Sequence, residues 1–180
     1  MLNNLPGQVP RSSGESSVVS QPPPSLDTLI IDGLMEADRP AIAWSGGPGH
    51  LESVARYLAR AASGEVDYLA VRTPDGRIVA KGGIDYAEHP GYGTMLQLAA
   101  NPTGHGYGTL LIQAMEERIR ARGVDAMLAA ESNNPGAHRL YKRLGYTECG
   151  TEAASWETTD AGGRRVMYRT TLTLLRKQLS

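Results

Sequence analysis

The sequence predicts one α/β domain, built as a mixed sheet with helices on both faces. Several short segments alternate apolar and polar residues, as strands do, whereas three longer segments repeat apolar residues at helical spacing. The two kinds of segment are interleaved along a chain of 180 residues, which is long enough for a single domain with a sizeable core.

The elements are predicted in the following order. Residues 1–25 are rich in Ser, Pro, Gly and Gln, which predicts a disordered arm, because such a segment buries too little apolar surface to offset its ordering entropy. The folded domain is predicted over residues 26–180, beginning with a helix, or a helix and a short strand, near Leu29–Met35. Helices are then predicted over residues 50–63, 106–122 and 135–144, and strands over residues 67–72, 77–85, 94–100, 125–131, 146–156 and 165–174. On the second helix, Glu116 and Arg120 are spaced to form an ion pair.

Composition excludes several classes of protein. The formal net charge is −1, so no general attraction to nucleic acid is expected. The single cysteine, Cys149, rules out an internal disulfide and favours a reducing compartment. The four histidines and this cysteine show no metal-ligand spacing, so no metal is expected. No apolar run approaches the roughly 18 residues that span a bilayer, and the N-terminus lacks a secretory pattern. We therefore expect a soluble cytoplasmic protein.

Residues 134–146 carry the most specific pattern in the chain. Asn134 can cap a helix, and Pro135 fits the first helical position, where no amide hydrogen bond is lost. Four residues at helical spacing form one face: Ala137, Leu140, Tyr141 and Leu144. Gly145 stands where a left-handed C-terminal cap is needed. The pattern predicts a short helix that turns the Tyr141 phenol toward the core or a ligand.

A second pattern joins a strand to three closely spaced glycines. Residues 94–100 alternate like a strand, and Gly104, Gly106 and Gly108 follow just as a helical pattern begins. Glycines let consecutive N–H groups face one concavity, and a helix N-terminus favours an anion. The segment therefore predicts a loop that can hold a diphosphate. The glycine spacing of a dinucleotide fold and the Gly-Lys-Ser/Thr of a P-loop are both absent.

The two segments resemble signatures of the GNAT superfamily of acyl-CoA-dependent N-acyltransferases. Residues 134–146 match Asn-x-x-Ala-x-x-Leu-Tyr-x-x-x-Gly-aromatic, and residues 103–108 match Gln/Arg-x-x-Gly-x-Gly/Ala except at Thr103, its first position. The order of strand, glycine loop, helix, strand, capped helix and final hairpin is also that of the family. The resemblance implies a GNAT-like fold with a central, mostly antiparallel sheet. In that fold two parallel strands, here ending at Ala100 and near Glu131, splay apart.

The resemblance also implies binding residues for acetyl-CoA, which GNAT proteins use as a co-substrate. The pantetheine arm would bond the main chain of the first splayed strand, at Leu98, Ala99 and Ala100. The pyrophosphate would bond the glycine loop and helix start, at Gly104, His105, Gly106, Tyr107, Gly108 and Thr109. Asn134 is expected first as a helix cap and second, together with Ala137, as a cofactor contact.

Few side chains are expected to perform the chemistry. The tyrosine of the family pattern falls on Tyr141, which would protonate the departing thiolate; the alternative is a core tyrosine with a satisfied hydroxyl. Glu131, at the end of its strand beside the gap, is the candidate general base, since burial there would raise its pKa. A surface carboxylate or capping partner is the alternative for Glu131. Asp85, Glu88 and His89 are candidates to line the acceptor side.

The predicted function is transfer of an acetyl group from acetyl-CoA to a primary amine by direct attack in a ternary complex. Cys149 has neither a local His nor a helix N-terminus, which disfavours a covalent thiol intermediate. The alternatives are a non-catalytic acyl-CoA-binding sensor or regulatory module and a nucleotide-binding α/β protein. No motif identifies the amine acceptor. A homodimer is expected only because the family often forms one, and neither nucleic acid nor a membrane is an expected partner.

Overall fold

A seven-stranded mixed sheet organises the residues that the computed structural model describes, 24–159 and 162–179. The strands are β1 (Ile30–Gly33), β2 (Val66–Arg72), β3 (Ile78–Asp85), β4 (Tyr92–Ala100), β5 (Asp125–Glu131), β6 (Thr147–Thr159) and β7 (Arg165–Lys177). Their order across the sheet is β1-β2-β3-β4-β5-β7-β6. The arm predicted over residues 1–25 lies outside the described residues except for its last two.

Within these described ranges three α-helices cover the sheet: α1 (Pro48–Ala61), α2 (Tyr107–Ala121) and α3 (Pro135–Arg143). Two 3₁₀ segments, Leu26–Thr28 and Glu36–Ser45, flank β1. The sequence predicted a helix from residue 50, but α1 already begins at Pro48, since the first helical position tolerates a residue without an N–H. Within the described residues, none of the helices combines the length and apolar character that crossing a bilayer requires.

The two faces of the sheet carry different helices. Along β2, Tyr68 and Ala70 pack in the apolar cluster beneath α1, whereas Leu69 and Val71 pack in the larger cluster that holds α2 and α3. Successive side chains of a strand point to opposite faces. We call these surfaces the α1 face and the α2 face. The predicted mixed sheet with helices on both faces is confirmed.

Only the β4–β5 pair is parallel among the described strands, and its ladder is short. The ladder runs from Tyr92 opposite Asp125 to Met95 opposite Leu128 and ends there. Beyond that point β4 continues to pair with β3, and β5 with β7. The two strands therefore diverge, and we call the gap between residues 96–100 and 129–131 the wedge. The predicted splayed pair is confirmed.

The caps of α3 follow local sequence rules. The Asn134 Oδ1 accepts a hydrogen bond from the Ala137 amide at 3.1 Å. At the other end Gly145 has a φ of +91°, and its amide donates to the Lys142 carbonyl. The Tyr146 amide donates to the Tyr141 carbonyl at 3.0 Å, which completes a Schellman cap. Both predicted caps are confirmed.

The predicted ion pair between Glu116 and Arg120 is wrong. Glu116 is buried, and its two oxygens accept from the Tyr146 hydroxyl at 2.9 Å and the Lys177 Nζ at 2.7 Å. Arg120 pairs instead with Glu117, one residue further along the exposed side of α2. Helical spacing could not reveal this arrangement, because both partners of Glu116 come from distant parts of the chain.

Candidate active site

The loop between β4 and α2 presents main-chain amides beside the wedge. Gly104 and Gly106 have φ of +78° and +82°, values that residues other than glycine rarely adopt. Gly106 is the N-cap of α2 and provides no side-chain cap, so the first-turn amides are left without that partner. The loop curls back on the strand end, since a Cβ built on Gly108 would lie 3.9 Å from the Ala100 Cβ. Amides of this kind suit an anion.

Side chains of the loop contribute less than its backbone. The Tyr107 ring is buried in the core, so only its amide can face a ligand. The His105 Nδ1 lies 2.8 Å from the Thr103 carbonyl, and the ring stacks on Tyr107. Thr109 is half-buried in the first turn of α2. Leu26 covers part of the loop, with its Cδ1 3.1 Å from a Cβ built on Gly106.

The strand predicted to hold pantetheine forms one wall of the wedge. Ala99 and Ala100 pair with β3 through Lys81 and Ala80, which leaves their other edge directed toward the gap. Leu98 packs on the α2 face, where a Cβ on Gly82 would lie 2.6 Å from the Leu98 Cδ2. The three half-buried residues therefore present backbone, rather than charged side chains, to the wedge.

Tyr141 lies on the α2 face near the base of the wedge. It is 8% exposed, and its ring meets the Tyr146 ring edge-on at 6.2 Å. The Tyr146 hydroxyl in turn reaches the Sδ of Met95, the last residue of β4 to pair with β5. Within the described part of the chain, the Tyr141 hydroxyl has no hydrogen-bond partner. Burial raises the pKa of Tyr141, so the phenol stays protonated at neutral pH.

Glu131 lies across the sheet from Tyr141. Ala126, Leu128 and Ala130 pack on the α2 face, so the alternation of β5 turns the half-buried Glu131 to the α1 face. Its carbonyl accepts from the Asn134 amide at 2.9 Å. Glu131 and Glu152 both stand opposite Leu172, which places the two carboxylates on the same face.

The other predicted acceptor-side residues have different environments. Asp85 is buried, and its oxygens accept from Arg60 at 2.6 and 3.0 Å, so this carboxylate is committed to holding α1. The His89 Nδ1 lies 3.0 Å from the Thr94 hydroxyl. Desolvation, followed by repulsion from Asp85 and Glu152, raises the pKa of Glu88. Carboxylates from several strands therefore collect on the α1 face.

The two predicted contacts on α3 are already used by the helix itself. Asn134 is exposed and its side-chain oxygen caps the helix. The Ala137 amide is the donor to that oxygen, so it is not available to a ligand while the cap is intact. A role for either residue in cofactor binding stays a prediction.

Sequence reasoning missed a chain of polar side chains, buried or half-buried, beneath α1. Its members come from α1, β2, β3 and β4: His50, Ser53, Tyr68, Lys81 and Gln97. One signal was available, because Lys81 is the only charged residue between Ile78 and Ile84 of a fully buried strand. A lone lysine in such a run must either find polar partners or lose its charge.

Comparison with known proteins agrees with this architecture. Residues 84–156 match the family described as FR47-like protein. The ribosomal-protein-S18-alanine N-acetyltransferase from Escherichia coli superposes with a TM-score of 0.65 at 19% identity, over 84% of this chain and 94% of that one. A spermidine/spermine N-acetyltransferase from Vibrio cholerae gives 0.63 at 15% identity, over 86% and 94%. A GNAT-family acetyltransferase from Streptococcus pneumoniae gives 0.59 at 17% identity, over 83% and 99%.

No curated protein matches the sequence. The chain has the fold of the GNAT acetyltransferases, and the resemblance to the GNAT superfamily predicted from its sequence is confirmed.

Proposed function

We propose that this protein is an N-acetyltransferase that moves an acetyl group from acetyl-CoA to a primary amine by direct attack in a ternary complex. The observation that carries the proposal is the wedge: a parallel ladder that ends at Met95 and Leu128, beside a helix start with uncapped amides. A free strand edge is normally covered or blunted in a folded protein. A pantetheine arm is a ligand of the right shape and hydrogen-bonding capacity to cover this one.

The proposed placement of acetyl-CoA uses main-chain groups. The diphosphate lies against the amides of residues 104–109, where left-handed glycines and the positive end of the α2 dipole favour an anion. The pantetheine arm follows residues 98–100 along the free edge of β4. The thioester then lies at the base of the wedge, between the Tyr141 phenol on the α2 face and the carboxylates on the α1 face.

The transfer needs three proton transfers and one bond exchange. The acceptor ammonium first loses a proton, and the neutral nitrogen attacks the thioester carbonyl carbon. The tetrahedral intermediate then loses a second proton from nitrogen to solvent, the C–S bond breaks, and the sulfur leaves with the bonding electrons. Tyr141 donates its proton to that thiolate and is reprotonated from solvent. Its hydroxyl suits this role because it is protonated and has no other partner in the described residues.

Glu131 is the proposed general base. It is half-buried at the end of β5, on the face opposite Tyr141, so acid and base would approach the thioester from opposite sides of the sheet. Glu88 is the second carboxylate with suitable properties, since a raised pKa makes it a stronger base than an ordinary carboxylate. The proximity of Glu88 and Glu152 also favours an acceptor that arrives as a cation.

A thiol-release assay tests the proposal. The protein is incubated with acetyl-CoA and a panel of amines that includes polyamines, lysine, peptide N-termini and aminoglycosides, and free CoA is measured. We expect release above background with at least one amine and formation of the matching acetamide. Tight binding of acetyl-CoA without release across the panel would favour a sensor. Tighter binding of ATP or NAD than of CoA would reject the assignment.

A further inference from the structure

A continuous chain of hydrogen bonds crosses three strands on the α1 face. The Lys81 Nζ lies 2.8 Å from the His50 Nε2 and donates to the Tyr68 hydroxyl at 3.2 Å. The Tyr68 hydroxyl donates to the Gln97 Oε1 at 2.8 Å, and the Gln97 Nε2 donates to the Ser53 Oγ at 3.0 Å. We call these five residues the α1-face network. It runs from β3 to the wedge strand and is tied at both ends to α1.

Lys81 fixes the direction of this chain. Its side chain is 0% exposed, and it forms no ion pair with a carboxylate of the described residues. A lysine ammonium has donors and no acceptor, so it donates to Tyr68, and the Tyr68 hydroxyl then has its own hydrogen free for Gln97. The carboxamide oxygen of Gln97 is therefore the acceptor and its nitrogen the donor, which leaves one orientation for the Gln97 side chain.

Gln97 occupies an unusual backbone position. Its φ is +53°, and it is the only residue other than glycine with a positive φ in the described part of the chain. The β3–β4 register shifts at this point, with Lys81 and Gly83 paired to Ala99 and Leu96, so β4 contains one extra residue. Such a bulge bends a strand and re-aims the residues that follow it. The bulge lies immediately after Met95, where the wedge opens.

We propose that Gln97 is a positioning residue for acetyl transfer: its side chain, held between Tyr68 and Ser53, locks the bulge that aims residues 98–100 along the wedge. The inference rests on the function proposed above. A left-handed glutamine is conformationally costly and needs support from its surroundings. Here the two side-chain bonds supply that support, and they come from residues of β2 and α1 rather than from β4 itself.

The lock has a definite consequence for the reaction. A bulge that can relax or migrate changes which groups of β4 face the wedge, because side chains and peptide groups alternate along a strand. The hydrogen bonds of the Gln97 side chain go to Tyr68 and Ser53, and neither residue belongs to the diphosphate loop. Loss of the lock should therefore misplace the thioester while the nucleotide end of the cofactor still binds.

The experiment compares four variants of the full chain. Gln97→Ala removes both side-chain hydrogen bonds and keeps the free-energy cost of the left-handed backbone at residue 97. Gln97→Gly removes these bonds and also the free-energy cost of a non-glycine residue at positive φ. Gln97→Glu keeps an oxygen for Tyr68, and its second oxygen can accept from the Ser53 hydroxyl. Gln113→Ala removes an exposed glutamine from α2 and is the matched control.

We expect Gln97→Ala and Gln97→Gly to lower kcat by on the order of 10- to 100-fold, because misplacement of a reacting group by about 1 Å costs this much. The KM for acetyl-CoA should change less than kcat, and affinity for 3′-phospho-ADP, the nucleotide end alone, should not change. Gln97→Glu should retain most of the activity, and Gln113→Ala all of it. Wild-type kcat in Gln97→Gly would overturn the proposal, since backbone freedom would then suffice.

Amide hydrogen exchange tests the lock without turnover. The Asn101 amide donates to the Val79 carbonyl just beyond the bulge, so its exchange reports the fixed register. We expect roughly tenfold faster exchange at residues 98–101 in Gln97→Ala and Gln97→Gly, with residues 93–95 unchanged. Unchanged exchange at residues 98–101 would reject the lock even if the protein transfers acetyl groups. Faster exchange in a protein that releases no thiol would support the lock and reject the proposed enzyme.

Should Gln97→Ala fail to fold, Ser53→Ala provides a milder form of the same test. It removes only the bond to the Gln97 nitrogen, and Ser53 is half-buried on α1. A smaller but measurable rise in exchange at residues 98–101 is then expected. No rise in a folded Ser53→Ala protein would contradict the proposal.

Discussion

At the wedge, the two faces of the sheet present different chemical groups. The α2 face offers apolar side chains, main-chain amides and buried phenols, among them Tyr141. The α1 face offers a buried polar network and several carboxylates, including Glu131 and Glu152. The family match begins at residue 84, so it covers the β4, α2 and α3 segments but not α1, β2 or most of β3.

Under the proposed function, this difference relates to how acetyl-CoA and the amine acceptor are bound. A cofactor common to many proteins can be held by backbone geometry, which glycines and helix caps encode locally. An acceptor that differs between proteins needs side chains. On the α1 face, Lys81 and its neighbours Tyr68 and His50 lie outside the family match, whereas the carboxylates Glu88, Glu131 and Glu152 lie within it. Under the proposed function, donor chemistry depends on the α2 face, whereas acceptor choice and strand alignment depend on the α1 face.

The largest expected effect is on the α2 face, at Tyr141. Tyr141→Phe keeps the ring in the core and removes only the hydroxyl. We expect kcat to fall on the order of 100- to 10,000-fold, the range for loss of a general acid, with little change in affinity for acetyl-CoA. Tyr92→Phe is the control, because Tyr92 lies at the end of β4 where the strands are still paired. Equal kcat values for the two variants would mean that Tyr141 is a core residue only.

The next largest effect is on CoA affinity, which should distinguish the glycine loop from an ordinary helix terminus. Gly106→Ala and Gly123→Ala each place a Cβ on a left-handed residue, at opposite ends of α2, with φ of +82° and +71°. The left-handed backbone should cost each variant roughly 1–2 kcal/mol of stability, and Gly106→Ala should lose somewhat more because its Cβ also meets the Leu26 side chain. Only Gly106→Ala should weaken CoA binding, by about 10- to 100-fold, the cost of one or two hydrogen bonds to a charged group. Isothermal titration calorimetry and thermal unfolding measure the two quantities.

A Kd that is unchanged in Gly106→Ala would contradict the proposed diphosphate site. The substituted Cβ also meets the Leu26 Cδ1 at 3.1 Å, so the double variant Gly106→Ala with Leu26→Ala is informative. Relief of the contact should restore part of the stability. It should not restore binding if the left-handed φ of the loop is what aims the amides.

Local rules were enough to predict much of the fold. Asn134 and Gly145 marked both ends of α3, and the strand before Gly104 marked the wedge strand, because caps and turns depend on residues a few positions apart. The splay itself came from the family resemblance. The start of α1 was missed because Gly-Pro-Gly is typical of loops, although proline is also suited to a first helical turn.

The α1 face could not be predicted in the same way. Lys81 meets His50 across 31 positions of sequence, and Gln97 meets Ser53 across 44. No periodicity reports contacts of this range, since they depend on how α1 docks on the sheet. Glu116 shows the same limit, because helical spacing predicted Arg120 as its partner whereas packing provided Tyr146 and Lys177.

The smallest expected effect concerns the α1 face and is a change in the free energy of unfolding with pH, caused by Lys81. Burial lowers the pKa of Lys81 to about 8. In the unfolded chain a lysine titrates near 10.4, so between these values the unfolded state binds more protons and the free energy of unfolding rises with pH. We expect a gain of about 2 kcal/mol between roughly pH 7.5 and pH 9.5 that is absent from Lys81→Met.

The titratable groups that contact Lys81 do not titrate in the window between roughly pH 7.5 and pH 9.5. Burial, together with the charge of Lys81, lowers the pKa of His50, which therefore titrates below the window. Burial raises the pKa of Tyr68, which titrates above it. Groups shared by both proteins cancel when urea unfolding curves of wild type and Lys81→Met are subtracted at each pH. A difference that stays flat across the window would show that Lys81 reaches water, and the α1 face would then lack the buried amine on which the direction of its hydrogen-bond chain depends.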